Sequence, residues 1–169
     1  MQRRTLLKLG IGSALVLTIA GAAVTLVQPG LQQGALTSRS RLILTRVAEA
    51  LIADAWPDAA TLPHDKAVDA LLIRINTQIA ATPYSVQAEL SQLLTLMDSA
   101  AGRRALIGIS STWDAVGVDE LAAALQSMRL SRISLRQQAY QGLHDLVYAA
   151  YFSGKESWQV LGYPGPVDL

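Results

Sequence analysis

The chain has 169 residues, about half of them apolar, with 14 basic and 13 acidic residues and no cysteine. That length suits one domain beyond a targeting segment, and that apolar share excludes a wholly disordered chain, because enough surface can be buried to offset the entropy of ordering. The lack of cysteine excludes disulfides, thiolate metal ligands, cysteine-held iron–sulfur clusters and covalent c-type haem, and the charge excludes the basic face that nucleic acid requires.

At the N-terminus, Gln2-Arg3-Arg4-Thr5-Leu6-Leu7-Lys8 precedes an apolar run from Leu9 to Val27. Arg3, Arg4, Leu6, Leu7 and Lys8 resemble a twin-arginine export signal. Gln2 stands where such signals often have serine, and Leu6 where they often have phenylalanine. The resemblance implies recognition by the twin-arginine translocase, which carries folded proteins, and a periplasmic destination. Such a signal is an address and not part of a mature site. Setting aside Arg3, Arg4 and Lys8 leaves eleven basic residues against 13 acidic ones, a net charge near −2. Gly10, Gly12, Ser13 and Thr18 dilute the apolar run, and Ala20-Gly21-Ala22 places small residues at Ala20 and Ala22 for cleavage. As a helix the run would span roughly 28 Å, close to the hydrocarbon thickness of a bilayer. An uncleaved anchor in the inner membrane is therefore the alternative. Gly10-x-Gly12 follows no strand and is not a phosphate loop.

Residues 28–37 read as a polar, glycine-containing linker. Residues 38–169 read as one all-α domain of about five helices. Thr37 or Ser38 caps the first helix, whose stripe is Leu42, Ile43, Val47, Leu51 and Ile52, with Arg46 and Glu49 opposite. Trp56-Pro57-Asp58 ends it, because the residue before proline disfavours helical geometry. Leu62-Pro63-His64-Asp65 starts the second helix, with Asp65 near its positive end and Val68, Leu71, Leu72, Ile75 and Ile79 inward. Thr82-Pro83 starts the third: a capping hydroxyl, then proline at the first helical position. Its buried face is Val86, Leu90, Leu93, Leu94 and Met97. Ala100 to Arg104 breaks or bends the chain before a short piece ending at Ile107, and Ser110 to Asp114 is turn-like. Asp119 caps a helix carrying Leu121, Ala122, Leu125 and Met128. The last helix starts between Ser131 and Ser134 and runs to Phe152, with Leu135, Ala139, Leu143, Leu146, Val147 and Ala150 inward. No segment alternates with the two-residue period of a strand.

Six of the nine aromatic residues fall between Tyr140 and Tyr163. Tyr140, His144, Tyr148 and Tyr151 are spaced to share one helix face. Beyond the helix, Trp158 and Leu161 anchor a short turn, and Pro164 and Pro166 stiffen the tail, which reaches a groove with little entropy left to lose. This ending, Trp158-Gln159-Val160-Leu161-Gly162-Tyr163-Pro164-Gly165-Pro166 after Tyr148, Tyr151, Phe152 and Gly154, is similar to that of the gluconate 2-dehydrogenase subunit 3 family. The middle of the chain matches that family only in being helical with a turn near Trp56-Pro57. The resemblance implies a non-catalytic small subunit of a membrane-associated flavin-dependent sugar or polyol dehydrogenase. In such complexes a large subunit of the glucose–methanol–choline type holds FAD, a cytochrome subunit often passes electrons on, and the small subunit supports the large one and escorts it through export. Tyr148, Tyr151, Trp158, Tyr163, Pro164 and Pro166 are then the candidate partner-binding residues. The alternative is a stand-alone exported or membrane-tethered helical binding protein with no enzyme partner.

No catalytic residue, cofactor ligand or metal set is expected in this chain. His64 and His144 are its two histidines, and a metal would need more ligands at fitting spacing; both read as helix-end or core residues. Ser110, Ser111, His144 and Asp145 contain the types of a hydrolytic triad but lack a nucleophile-elbow context. Arg103-Arg104 and Arg129, Arg132 and Arg136 read as solvated helix faces, with docking to an acidic patch as the functional alternative. Trp56 and Trp113 read as anchors that seal the core from turns.

Overall fold

A computed structural model of the chain describes residues 29–57, 59–60, 62–155, 157–158 and 162–163. Arg3, Arg4, Leu6, Leu7, Lys8, Ala20, Ala22, Pro164 and Pro166 lie outside the described residues. The fold is mostly helical. A hairpin of β1 (Leu31–Gln32) and β2 (Ala35–Leu36) leads into α1 (Ser38–Ile52), which ends in a 3-10 turn, Ala53–Ala55. There follow α2 (His64–Ala80), α3 (Tyr84–Asp98), a single turn α4 (Ala100–Gly102) running into a π turn (Arg103–Ile107), α5 (Val118–Arg129) and α6 (Ser134–Phe152). Among the described residues, no helix is long and apolar enough to cross a membrane.

The hairpin lies where a linker was expected. Leu31 pairs with Leu36 and Gln32 with Ala35, so Gln33 and Gly34 form a two-residue turn. Both have positive φ, the geometry that matches strand twist and that glycine adopts without penalty. The strands are too short for alternation to register, yet Leu31 and Leu36 are both buried. Side chains of the helices take up the backbone donors here: Gly30 N–H donates to Thr95 Oγ1 at 2.8 Å, Leu31 N–H to Ser91 Oγ at 3.0 Å, and Leu36 N–H to Asn76 Oδ1 at 2.9 Å. Buried Ser40 donates to the Gly30 carbonyl at 2.6 Å.

Helix α1 is central and packs against α2, α3, α5 and α6. Thr37 caps it, as expected, accepting from Ser40 N–H. Ile43, Leu44, Val47, Ala48 and Ile52 are its core face. The other helices bury the expected stripes with three differences. Val86 and Leu135 are exposed, because each sits in the first turn of its helix, beyond the packed interior. Thr82 does not cap α3; its hydroxyl donates back to the Ile79 carbonyl at 2.7 Å, and Pro83 precedes the helix instead of opening it. Asp119 lies inside the first turn of α5, where it faces the positive end of the helix, and Gly117 holds the cap position.

The bend at Ala100 to Arg104 is a joint. Ser99 donates to the Leu96 carbonyl at 2.8 Å and accepts from Gly102 N–H at 3.0 Å, closing one helix and opening the next. At Gly102 a Cβ would lie 2.1 Å from the Leu96 carbonyl oxygen, so the joint requires glycine. Trp113 closes the core beneath it: fully buried, it donates through its indole to the Met97 carbonyl at 2.9 Å. A surface clasp crosses the same region. Arg39 donates to Asp98 at 3.0 Å and reaches Asp114 at 3.5 Å. The hydrogen bond that Arg39 donates to the Asp98 carboxylate raises the Arg39 pKa above its ordinary value. A raised cation loses its contribution only as pH climbs through that higher value, so Arg39 stays charged throughout the working range.

Candidate functional site

The aromatic C-terminal region divides into a ladder, a buried pair and an exposed turn. Along α6, Tyr140, His144, Tyr148 and Phe152 recur every four residues and touch in series. Their ring centroids are 5.6, 4.3 and 5.6 Å apart, with His144 stacked on Tyr148 at an interplanar angle of 19°. Phe152, not Tyr151, is the fourth member. Three residues advance a helix by 300° and four by 400°, so Tyr151 turns off the ladder while Phe152 stays near it.

Tyr151 is only 3% exposed. Its ring meets Trp56 edge-on at 6.3 Å, and its hydroxyl donates to the Ala55 carbonyl. Tyr148 donates to the Leu51 carbonyl at 2.9 Å. Helix ends leave their last carbonyls without intrahelical donors, and these two phenols supply donors at the end of α1 and in the turn after it. Tyr148 and Tyr151, candidates for a partner surface, thus have their hydroxyls engaged within the chain, and Tyr151 is a core residue. Trp56 in turn forms a T-shaped pair with His64, ring centroids 4.9 Å apart. His64 opens α2 with Nε2 3.6 Å from Glu49, whose other oxygen accepts from Arg46 at 3.0 Å. His64 therefore stands at a helix end, as expected, whereas His144 lies mid-helix and part-exposed on the ladder, neither at a helix end nor in the core.

Trp158, Gly162 and Tyr163 are the described residues of the tail. Tyr163 N–H donates to the Trp158 carbonyl at 2.8 Å, and the rings meet edge-on at 5.4 Å. Buried Ser157 pins the turn by donating to the Gly154 carbonyl at 2.7 Å. Lys155 Nζ lies 6.0 Å from the Trp158 ring, a cation–π distance. Tyr163 is 49% exposed, which leaves its ring at the surface.

Polar chemistry is dispersed. Among the described residues, no group of three or more His, Cys, Asp or Glu side chains is placed to hold a metal ion. Ser111 donates to the Glu120 carboxylate at 3.0 Å, while His144 lies on the α6 ladder 3.1 Å from Asp145, so no hydrogen bond joins them into a triad. The cavity bounded by Trp56, Pro57, Leu62, Ala67, Arg74 and Tyr151 has a volume of about 10 Å³, which is water-sized. An open concavity of about 670 Å³ beside the hairpin is lined by Pro29, Leu31, Gln32, Gln33, Ala35 and Leu36, none of them titratable.

The arginines separate into two kinds. Arg103 is buried and donates to the Asp98 carbonyl at 3.0 Å. Arg136 donates to the Leu106 carbonyl at 2.8 Å and the Ile107 carbonyl at 3.2 Å, closing the end of the π turn. Neither belongs to a solvated face, which corrects that expectation. Arg104, Arg129 and Arg132 are exposed, and beside the last two stand Leu130 and Ile133, which the helical stripes did not include. Their interruption of the stripe, Arg-Leu-Ser-Arg-Ile, was the available signal. No family model matches this chain, and no curated protein or solved structure matches it either.

Proposed function

We propose that this chain is the non-catalytic small subunit of an exported, FAD-dependent sugar, alcohol or acid dehydrogenase of the gluconate 2-dehydrogenase kind. It stabilises the large flavoprotein subunit and carries it through the twin-arginine route. The observation that carries this reading is the presence in one chain of the Arg3-Arg4 address and the Trp158-to-Pro166 tail. The exposed Tyr163 ring, packed edge-on with Trp158, supports it, since amphipathic aromatic rings are enriched where partners meet.

The escort role is tested by changing Arg3 and Arg4 together to lysine and assaying dehydrogenase activity in periplasmic and cytoplasmic fractions. The expected result is a flavoprotein retained in the cytoplasm. Undiminished periplasmic activity from a flavoprotein that co-purifies with this chain would overturn it. At the contact itself, Trp158→Ala with Tyr163→Ala is expected to weaken subunit association by about thirtyfold, the scale of an interface hot spot. Co-purification at undiminished yield across a dilution series would remove the tail from the interface.

A further inference from the structure

We propose that the corner between α5 and α6 is a lipid-contact surface that seats in the headgroup layer of a bilayer rich in anionic lipid. Three observations converge there. Leu130 and Ile133 are 68% and 58% exposed, and Leu135 is 38% exposed just beyond them. Arg129 and Arg132 alternate with these aliphatic residues, and both are exposed. Exposed Arg104 adds a cation on the π turn, whose last carbonyls are bonded to Arg136 in the first turn of α6. No carboxylate lies between Glu120 and Asp145 in the sequence, and among the described residues Arg104, Arg129 and Arg132 form no ion pair.

Part of the corner's backbone is paired internally. Leu130 N–H donates to the Gln126 carbonyl at 3.1 Å, Ser131 N–H to the Met128 carbonyl at 3.2 Å, and Ile133 N–H to Ser131 Oγ at 3.1 Å. Those three are paired within the turn itself, whereas Ser134 and Leu135 open α6 without a side-chain cap; unpaired amides are penalised heavily in apolar surroundings, so the corner seats at the headgroup level and no deeper. Arginine stems lie along apolar surface while their heads stay at the phosphate level, so Arg129 and Arg132 flank an inserted aliphatic tip without being desolvated. An acidic protein fits less well. Protein hot spots favour aromatic anchors in pockets; this corner has no ring, and neither concavity described above touches it.

Bulk vesicle binding would not isolate the corner, because residues 9–27 are themselves apolar. A local probe does. The chain has no cysteine, so full-length Leu130→Cys or Ile133→Cys accepts a single environment-sensitive fluorophore, and Ala80→Cys at the exposed end of α2 serves as the control. On phosphatidylglycerol vesicles the corner probe should shift to the blue and the Ala80 probe should not. On phosphatidylcholine vesicles both should remain aqueous. Adding Arg129→Gln and Arg132→Gln to the labelled chain should raise the lipid concentration needed for half the shift by about fivefold per arginine, and high salt should act in the same direction. A corner probe that stays aqueous on phosphatidylglycerol, at both labelling positions and with helicity intact, would overturn the proposal. So would an equal blue shift with polyglutamate in place of vesicles, which would assign the corner to an acidic protein surface. The readout is independent of whether a flavoprotein partner is exported.

Discussion

The seam around the π turn and the corner between α5 and α6 are neighbours built with the same residue type to opposite ends. In the seam, Arg103 and Arg136 turn their guanidinium groups onto backbone carbonyls that helix ends leave unpaired. At the corner, Arg129 and Arg132 remain at the surface beside exposed aliphatic side chains. The difference lies in what each arginine can reach. Arg136 is in the first turn of α6, against the end of the π turn, whereas Arg129 and Arg132 lie at the end of α5 and beyond it. An arginine bonded to the orphan carbonyls of a neighbouring element acts as a cap; Arg129 donates instead to the Gln126 side chain at 3.0 Å and stays at the surface. Tyr148 and Tyr163 repeat the contrast, the first bonded to α1 and the second exposed.

The comparison breaks most visibly at Arg103. Arg103→Ala removes a buried charged donor and leaves a void, with an expected loss of about 3 kcal/mol of unfolding free energy in urea titration. Arg103→Met should recover part of this, because it refills the volume and removes the Nε–H that is buried without a partner. If alanine and methionine were both neutral, the inward arginine would have no structural role. Arg136→Ala exposes two carbonyls at once and is expected to cost about 2 kcal/mol. Faster amide exchange at Gly108, whose N–H is held by the Arg103 carbonyl, should accompany that loss; unchanged exchange would contradict the capping role. Tyr148→Phe deletes one hydroxyl donor and should cost about 1 kcal/mol, whereas Tyr163→Phe should leave the melting temperature unchanged. Smallest of all, Arg129→Gln with Arg132→Gln should stay within about 0.5 kcal/mol of the parent. A larger loss would move these two residues into the structural class.

How much was legible follows from the range of each interaction. The stripes of α1, α2 and α5 were readable because burial repeats every three or four residues within one segment. The hairpin was not, because its strands are two residues long and are held by Ser91, Thr95 and Asn76, sixty, 65 and 40 residues away. The candidate site divides in the same way. Spacing alone put Tyr140, His144 and Tyr148 on one face, and the same four-residue step leads to Phe152 and not Tyr151; it could not show that Tyr151 is buried against Trp56, because that depends on where the 3-10 turn at Ala53–Ala55 comes to rest.

By itself, then, the sequence determined that the domain is helical, where most of its helices begin and end, and that cysteine chemistry is absent, since these depend on composition and local periodicity. Only the tertiary structure decided which polar side chains are consumed in holding helix ends together and which remain at the surface. The orphan carbonyls that Tyr148, Tyr151, Arg103 and Arg136 satisfy acquire their donors only when separate elements meet. That selection leaves Trp158, Tyr163 and the Arg129–Ile133 corner as the surfaces where partners are proposed.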